Sequence, residues 1–260
     1  MSALLTLENV SVGYGEKIVV RGASFKLNEG ELCALVGLNG CGKTTILKTI
    51  SGLLPVKGGV CRVNDLDMMS LKENQRAWYI SFIPQRHSKL IGVTVLDAVM
   101  MGYYAQLGLL EFPSQMQKKA AIVALQKMSL GHLINEDFSR LSEGQKQMVI
   151  LTRTLVQNTP IMLMDEPDSA LDFQNQHRIM EIVRCLIHNE GKTALFSLHD
   201  PNLALAYCDR LILMREGRIV TSISPKSTGI AEIGEALSEI YNKITIQQIQ
   251  GQYVVMLNKQ

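Results

Sequence analysis

The stretch Gly37-Leu38-Asn39-Gly40-Cys41-Gly42-Lys43-Thr44 decides the fold of this chain. It follows an apolar run at 32–36, typical of a buried strand, and precedes 45–50, which has helical apolar spacing. Strand, glycine-rich loop and helix in this order match the phosphate-binding pattern G-x-x-x-x-G-K-[ST]. Such glycines let the backbone present a nest of N–H donors, while Lys43 can reach the β- and γ-phosphates and the Thr44 hydroxyl can bind magnesium. The alternative, a glycine-rich turn with an exposed lysine, would produce this match by chance in roughly one per cent of chains of this length.

Two further apolar runs end in polar residues that suit phosphate chemistry. Residues 161–164 predict a short buried strand that ends in Asp165 and Glu166, at the carboxyl edge where open parallel sheets bind ligands. Asp165 would then reach magnesium and Glu166 an attacking water, although either can be a plain strand-end carboxylate. The run 193–198 ends at His199, which could contact the γ-phosphate or polarise the water. A lone histidine at a strand end is more often structural.

The block Leu141-Ser142-Glu143-Gly144-Gln145 has the pattern of a helix start. Ser142 can be the N-cap, and Gln145 falls three positions later, as in a capping box. Glu143 lies in the first turn, where the helix dipole favours negative charge. Backbone N–H groups left unpaired at such an end can hold a phosphate. Taken alone, the block is explained equally well as an ordinary capped helix.

The order of these motifs resembles the ATP-binding-cassette family across almost the whole chain. The order is phosphate loop, Gln85, the block at 141–145, the Asp-Glu pair, Ser169-Ala170-Leu171-Asp172 and His199. The resemblance implies that Tyr14 stacks on adenine, that Gln85 senses magnesium and the attacking water, and that Asp172 lies in a loop crossing to a partner. An exposed turn tyrosine and a solvated glutamine are the commoner interpretations of Tyr14 and Gln85 alone.

The resemblance implies a complete set of site residues. The candidate catalytic residues are Glu166, His199 and Gln85, and the candidate magnesium ligands are Thr44, Gln85 and Asp165. The candidate ATP-binding residues are Tyr14, Gly37, Asn39, Gly40, Cys41, Gly42, Lys43, Thr44, Thr45, Ser142, Gly144, Gln145 and Asp172. Cassettes of the family pair head to tail, so Ser142 and Gly144 of one copy are expected to face the γ-phosphate held by Lys43 of the other.

The predicted fold class is α/β, a P-loop NTPase parallel sheet core with an antiparallel β-subdomain and an inserted helical lobe. Residues 1 to about 30 alternate as antiparallel strands do, and strand and helix signals alternate through 31–85 and 146–220, as a parallel sheet demands. We predict one ABC ATPase domain over 1–260. Its parts are a core over 1–85 and 141–225, a lobe over 86–140 and a short C-terminal extension over 226–260.

Composition narrows the classes of partner. The chain has 260 residues, is 47% hydrophobic and carries a formal charge of +2, which suits one large core and gives no basic stripe for nucleic acid. Its apolar runs fall short of the roughly 18 residues of a membrane helix, so contact with a membrane is expected only through a partner, at the cytoplasmic face. The 5 cysteines lack metal-ligand spacing and suit reduced thiols. Cys41, near a helix N-terminus, is the one whose thiolate would be favoured, although a small residue that merely fits the loop is the commoner interpretation.

Within the family, the chain resembles the cassettes of iron–siderophore, haem and cobalamin importers. The resemblance lies in 157–160, in 199–204 and in the short tail, and the chain departs from it at Glu143, Pro201 and 102–103. It implies an ATPase subunit that binds ATP and Mg²⁺ and works with membrane-spanning permease subunits and, indirectly, a substrate-binding protein. An importer cassette for a metal ion or oxyanion, and a soluble cassette ATPase without a membrane partner, remain alternatives.

The lobe at 86–140 is the expected docking site for a short cytoplasmic helix of the permease, because it directly follows Gln85. Its methionines either form an adaptable partner surface or fill the core. They are Met100, Met101, Met116 and Met128.

Overall fold

The computed structural model describes residues 3–85, 90–108, 110–168 and 171–258. In chain order the strands are β1 (Ala3–Tyr14), β2 (Lys17–Asn28), β3 (Leu32–Val36), β4 (Gly58–Val63), β5 (Leu66–Asp67), β6 (Ile80–Ile83), β7 (Ile161–Asp165), β8 (Thr193–Leu198), β9 (Arg210–Arg215), β10 (Arg218–Ile223), β11 (Ile244–Ile249) and β12 (Gln252–Leu257). The α-helices are α1 (Lys43–Ile50), α2 (Glu73–Arg76), α3 (Val95–Tyr104), α4 (Gln115–Lys127), α5 (Glu143–Gln157), α6 (Phe173–Glu190), α7 (Pro201–Tyr207) and α8 (Ile230–Ser238).

The core sheet has the strand order β10-β9-β3-β8-β7-β6. All neighbours are parallel except the edge strand β10, which is antiparallel to β9. Strands β3, β7 and β8 are buried over their whole length, as expected for parallel strands that are covered on both faces. This agrees with the predicted α/β fold class, and it brings the carboxyl ends of β3, β8 and β7 side by side.

Alternate residues of these strands belong to two separate apolar clusters. On one face, Ala34, Met164 and Phe196 pack with residues of α3, α5, α6 and α7. On the other face, Leu35 and Leu163 pack with α1 and with the antiparallel strands near the N-terminus. Since each fully buried large apolar side chain is worth about 1.5–3 kcal/mol, these two layers hold the strand ends of the site in place.

The antiparallel sheet has the order β2-β1-β4-β5. The antiparallel pairing of β1 and β2 confirms the prediction for the first 30 residues. The prediction that 31–85 alternates wholly as a parallel sheet is wrong, because β4 and β5 join the antiparallel sheet through β1. Both strands are short and only partly buried, and such patterns carry no signal for which sheet a strand will join.

Helices α3 and α4 pack on α5, and their apolar residues continue the cluster that covers the core sheet. Gly102 permits the close contact with α5, because a Cβ there would lie 2.3 Å from the Arg153 carbonyl oxygen. Both interpretations of the lobe methionines hold in part, since Met128 is buried whereas Met116 is 80% exposed. The division into core, lobe and extension stays a prediction.

The C-terminal strands β11 and β12 form an antiparallel hairpin, as the sequence predicts. Strand β12 packs on α7, and α8 packs against β10 and β11. Ile233 and Leu237 of α8 are fully buried in the core cluster, so the extension is anchored on the core sheet and its helices. Within the described ranges, no helix combines the length and apolarity needed to cross a bilayer.

Candidate functional site

The phosphate loop connects the end of β3 to the start of α1. Glycine is required at two of its positions for different reasons. A Cβ on Gly37 would lie 2.3 Å from the Met214 carbonyl oxygen, and Gly42 has a φ of 109°, which L side chains rarely adopt. Gly42 is the N-cap of α1 and supplies no side-chain cap, so the first N–H groups of the helix face the loop without one. The loop can therefore donate backbone hydrogen bonds to phosphate oxygens.

The Lys43 side chain lies inside the phosphate loop and contacts the backbone at its start. Its side chain is buried, and Nζ donates to the Gly37 carbonyl at 2.7 Å and to the Leu38 carbonyl at 3.3 Å. These neutral acceptors leave the ammonium charge uncompensated by a carboxylate. A phosphate that enters the loop would offer charged oxygens to the same group, which is the stronger kind of hydrogen bond.

Thr44 and Asp165 meet where α1 begins and β7 ends. The Thr44 hydroxyl donates to Asp165 Oδ1 at 2.9 Å, and the Ser197 hydroxyl donates to the same oxygen at 2.6 Å. Asp165 is only 2% exposed, so these bonds stabilise a carboxylate that burial would otherwise penalise. A hydroxyl and a carboxylate side by side are the hard oxygen ligands that Mg²⁺ takes, and this pair fits such an ion.

Glu166 follows β7 in a backbone conformation unusual for its type, with a φ of 47°. Its N–H donates to Ser197 Oγ at 2.9 Å and so fixes the residue to the neighbouring strand. The turn aims its carboxylate at Gln85, whose Nε2 donates to Oε2, and at His199, whose Nδ1 lies 3.8 Å from Oε1. The structure thus brings together the three predicted catalytic residues, beside the Thr44 and Asp165 pair.

Two residues of this cluster escape sequence reasoning. Ser197 holds both Asp165 and the Glu166 backbone, yet in sequence it is one polar residue inside an apolar strand. Asp168 is 4% exposed, and its Oδ1 has no hydrogen-bond partner among the residues that the structure describes. Burial raises the pKa of Asp168; nearby His199 acts in the opposite direction, and Glu166 and Asp200 add to the rise. The sequence signal that could have identified Asp168 is a carboxyl side chain a few residues after the predicted strand that ends at Asp165.

Tyr14 ends β1 in the hairpin that precedes β2, and it is 49% exposed. The same β2 supplies Val20, whose methyl carbon would lie 2.9 Å from a Cβ on Gly42. The hairpin therefore packs next to the phosphate loop through β2. Thr45 is buried within α1, and its carbonyl accepts a hydrogen bond from the Thr49 hydroxyl one helical turn later.

The motif at 141–145, the signature, begins α5 as the sequence predicts. Ser142 Oγ accepts from the Gln145 N–H at 3.3 Å, and Gln145 Oε1 accepts from the Ser142 N–H at 2.9 Å, which completes the capping box. Glu143 pairs with Lys146 at 2.8 Å on the same turn. The carboxylate that departs from the family pattern is therefore partly neutralised within the helix.

The signature lies beside Asp172 and away from the phosphate loop. A Cβ on Gly144 would lie 3.3 Å from Asn175 Nδ2, and that amide donates to Asp172 Oδ2 at 2.9 Å. Ser142 and Gly144 line a cavity of about 200 Å³ with His132 and Arg178. No hydrogen bond joins the signature to the phosphate loop in the part of the chain that the structure describes. Ser169 and Ala170 lie outside the described residues.

The structure favours the interpretation of Cys41 as a small residue that fits the loop over that of a favoured thiolate. The residue is 7% exposed, and burial raises the pKa of its thiol, although the charge of Lys43 and backbone hydrogen bonds act in the opposite direction. The helix N-terminus is near, but desolvation of a thiolate outweighs it. The cysteines are free, as expected, and Cys185 is the exposed one.

Comparison with known proteins settles the family. The profile of the ABC transporter family matches residues 20–169, from β2 to the residues after Glu166. The chain belongs to the ABC transporter family. The chain is therefore an ATP-binding subunit with ATPase activity.

Named relatives extend beyond this segment. A probable iron chelatin transport ATP-binding protein of Helicobacter pylori is 32% identical, covering 92% of this chain and 93% of its own. The manganese transport ATP-binding protein MntB of Bacillus subtilis is 35% identical, covering 82% and 84%. A dimeric post-hydrolysis structure of the cassette MJ0796 with ADP and Pi superposes with a TM-score of 0.77 at 26% identity, covering 86% of this chain and 100% of that one.

Proposed function

We propose that this cassette hydrolyses ATP with Glu166 as the general base and with Mg²⁺ held by Thr44, Asp165 and Gln85. The observation that carries the proposal is the position of the Glu166 carboxylate between Gln85 and His199, next to the Thr44 and Asp165 pair. When bound there, Mg²⁺ would neutralise phosphate charge. Lys43 and the N–H groups of the loop bind the β- and γ-phosphates, and Tyr14 stacks on the adenine.

The proton of the attacking water goes to Glu166. The carboxylate suits this role because it is 15% exposed yet bonded to Gln85 through a neutral amide, which leaves it a competent acceptor. His199 lies on the other side of the carboxylate and orients the γ-phosphate or the water. General-base catalysis of this kind contributes roughly 10²–10⁴-fold in rate.

The remaining half of the site comes from a second copy of the chain. Ser142, Gly144 and Gln145 sit at the exposed start of α5 beside Asp172, and they face a cavity rather than the phosphate loop of their own chain. The related cassette with ADP and Pi is dimeric. A head-to-tail dimer of this chain would place the helix start on the γ-phosphate of the partner. The dimer thus forms two composite sites.

We assign the transported substrate to the metal-chelate class, that is, iron–siderophore, haem or cobalamin complexes, taken up across the cytoplasmic membrane. The near full-length match to the iron chelatin relative supports this class. The match to the manganese relative supports a free divalent metal ion as the second candidate. In both cases the chain would act at the cytoplasmic face, bound to permease subunits that receive cargo from a substrate-binding protein.

The permease is expected to dock on the lobe that follows Gln85. Three large apolar side chains of this lobe are exposed, and a partner that covered them would remove their apolar surface from water. They are Leu110 at 88%, Phe112 at 82% and Met116 at 80% exposure. Lys89, another position predicted to lie on this surface, is outside the described residues.

Uptake by the assembled transporter tests the substrate class. The cassette, its permease and its binding protein are reconstituted in vesicles, with ATP on the side of the membrane that carries the cassette. Uptake of labelled ferric siderophore, haem, cobalamin and Mn²⁺ is then compared. Uptake of a chelate and not of Mn²⁺ supports the assignment, whereas Mn²⁺ uptake alone overturns it in favour of the second candidate. The Glu166→Gln cassette is the control, since its vesicles should take up neither.

A further inference from the structure

The C-terminal extension reaches the turn that carries His199. Tyr241 follows α8, and its hydroxyl donates to the His199 main-chain carbonyl at 2.9 Å, over a separation of 42 residues. The neighbouring residues of the extension, Glu239, Ile240 and Asn242, also form one wall of a cavity of about 430 Å³, and Leu38, Asn39, Gly40 and Cys41 of the phosphate loop form another. The extension therefore contacts the turn at His199 and faces the phosphate loop across this cavity.

A second tie from the extension holds the start of α7. The side-chain amide of Asn202 accepts from the Val255 N–H at 2.7 Å and donates to the Val255 carbonyl at 3.2 Å. Asp200 caps the same helix by accepting from the Asn202 N–H at 2.8 Å. Tyr241 thus holds His199, the first residue after β8, and Val255 of β12 holds Asn202 in the first turn of α7.

The tyrosine is itself firmly placed. Ile240, its neighbour, is 4% exposed in the core cluster, and Arg215 donates to the Glu239 carbonyl at 2.6 Å. Burial raises the pKa of Tyr241, and the charges of Asp200 and Cys41 add to the rise. The phenol therefore keeps its proton, and so its role as donor, at any physiological pH.

The imidazole of His199 is held much less tightly than its backbone. The side chain is 43% exposed, and its Nδ1 lies 3.8 Å from Glu166 Oε1, which is too long for a hydrogen bond. The direction of the ring is consequently set by the main chain at 199. We propose that Tyr241 is a positioning residue for His199, and that its bond to the His199 carbonyl fixes the turn from which the imidazole reaches Glu166 and the γ-phosphate. The inference rests on the proposed role of His199 in hydrolysis.

Tyr241→Phe tests this, with Tyr253→Phe as the matched control. Both tyrosines belong to the extension, and the Tyr253 hydroxyl also donates to a backbone carbonyl, that of Thr228, at 3.5 Å, but away from His199. Loss of one such bond should lower kcat for ATP about three- to tenfold in Tyr241→Phe, with KM and nucleotide binding unchanged. Tyr253→Phe should keep the parental kcat and melt at a temperature similar to that of Tyr241→Phe.

A spectroscopic readout separates positioning from a general loss of structure. In spectra of labelled histidine, the imidazole signal of His199, identified by its loss in His199→Ala, should shift or broaden in Tyr241→Phe and stay in place in Tyr253→Phe. An unchanged His199 signal together with a parental kcat in Tyr241→Phe would overturn the inference.

The double variant shows whether Tyr241 acts through His199. In the His199→Ala background, Tyr241→Phe should cause no further loss of kcat. A further loss equal to that in the parent would mean an independent role for the tyrosine and would refute the proposal. If His199→Ala alone hydrolysed ATP at the parental rate, the catalytic role of His199 would fail, and the imidazole spectra alone would decide the positioning role.

Discussion

Replacement of Glu166 by glutamine is the most direct test of the assigned base. The change keeps the shape of the side chain, and its amide oxygen can still accept from Gln85 Nε2. The left-handed backbone at 166, with a φ of 47°, is occupied equally well by either residue, so folding should be unaffected. What is lost is the proton acceptor beside the attacking water, which is worth roughly 10²–10⁴-fold, or about 3–5 kcal/mol of transition-state stabilisation.

The assay is phosphate release in a single turnover, with size-exclusion chromatography in MgATP. We expect kcat to fall at least about a hundredfold while nucleotide binding persists, because binding depends on the phosphate loop and Tyr14. ATP that is bound and not cleaved should trap the dimer. Glu190→Gln is the matched control, since Glu190 is 49% exposed at the end of α6 and pairs only with Lys192. A parental rate in Glu166→Gln, with no ATP-dependent dimer, would refute the assignment of Glu166.

Three further predictions concern other residues. Lys43→Ala should weaken ATP binding and Ser142→Arg should spare it but block the dimer, so their mixture should regain at most one working site per heterodimer; full recovery of the ATPase rate would contradict a shared site. Maleimide should label exposed Cys185 before buried Cys41, as peptide mass mapping can check, since burial raises the pKa of the Cys41 thiol. Burial alone would raise the pKa of Asp209, but hydrogen bonds from Lys226 and the Leu32 N–H lower it. Its contribution to stability is therefore full above the unfolded pKa of about 4 and lost as the pH falls through the lower folded value. Asp209→Asn should cost about 1–2 kcal/mol in urea unfolding at pH 7, and a cost that did not shrink below pH 4 would refute this account.

Sequence reasoning succeeded where the signal was local. The helix start at Ser142 and the strand ends at Asp165 and His199 follow from residue types within three or four positions of one another. The capping box and the strands that deliver these carboxylate and imidazole groups are present as predicted. Gln85 was predicted from the order of motifs in the family. Its contact with Glu166 joins residues 81 apart, so no local sequence pattern indicates it.

The features that the sequence did not predict depend on tertiary packing. The prediction for Cys41 took the helix N-terminus into account and could not include desolvation by the strands around it. The sheet to which β4 belongs was missed because short, partly buried strands pair as the neighbouring structure allows. Ser197 and Tyr241 were invisible because a hydroxyl in an apolar strand or in a tail acquires meaning only from the distant group that it contacts.

The separation of the two half-sites has a consequence for how the cassette works. The proposed base, the phosphate loop and the proposed magnesium ligands lie together within one chain, so we expect a single copy to bind ATP without help. The signature lies elsewhere on the same chain, packed beside Asp172 through Asn175. The positive end of α5 therefore reaches a γ-phosphate only when a second copy closes over it. Helices α3 and α4 of the lobe pack on α5, which carries the signature, so in the proposed dimer mechanism the step that completes the composite site is also one that a permease docked on the lobe can sense.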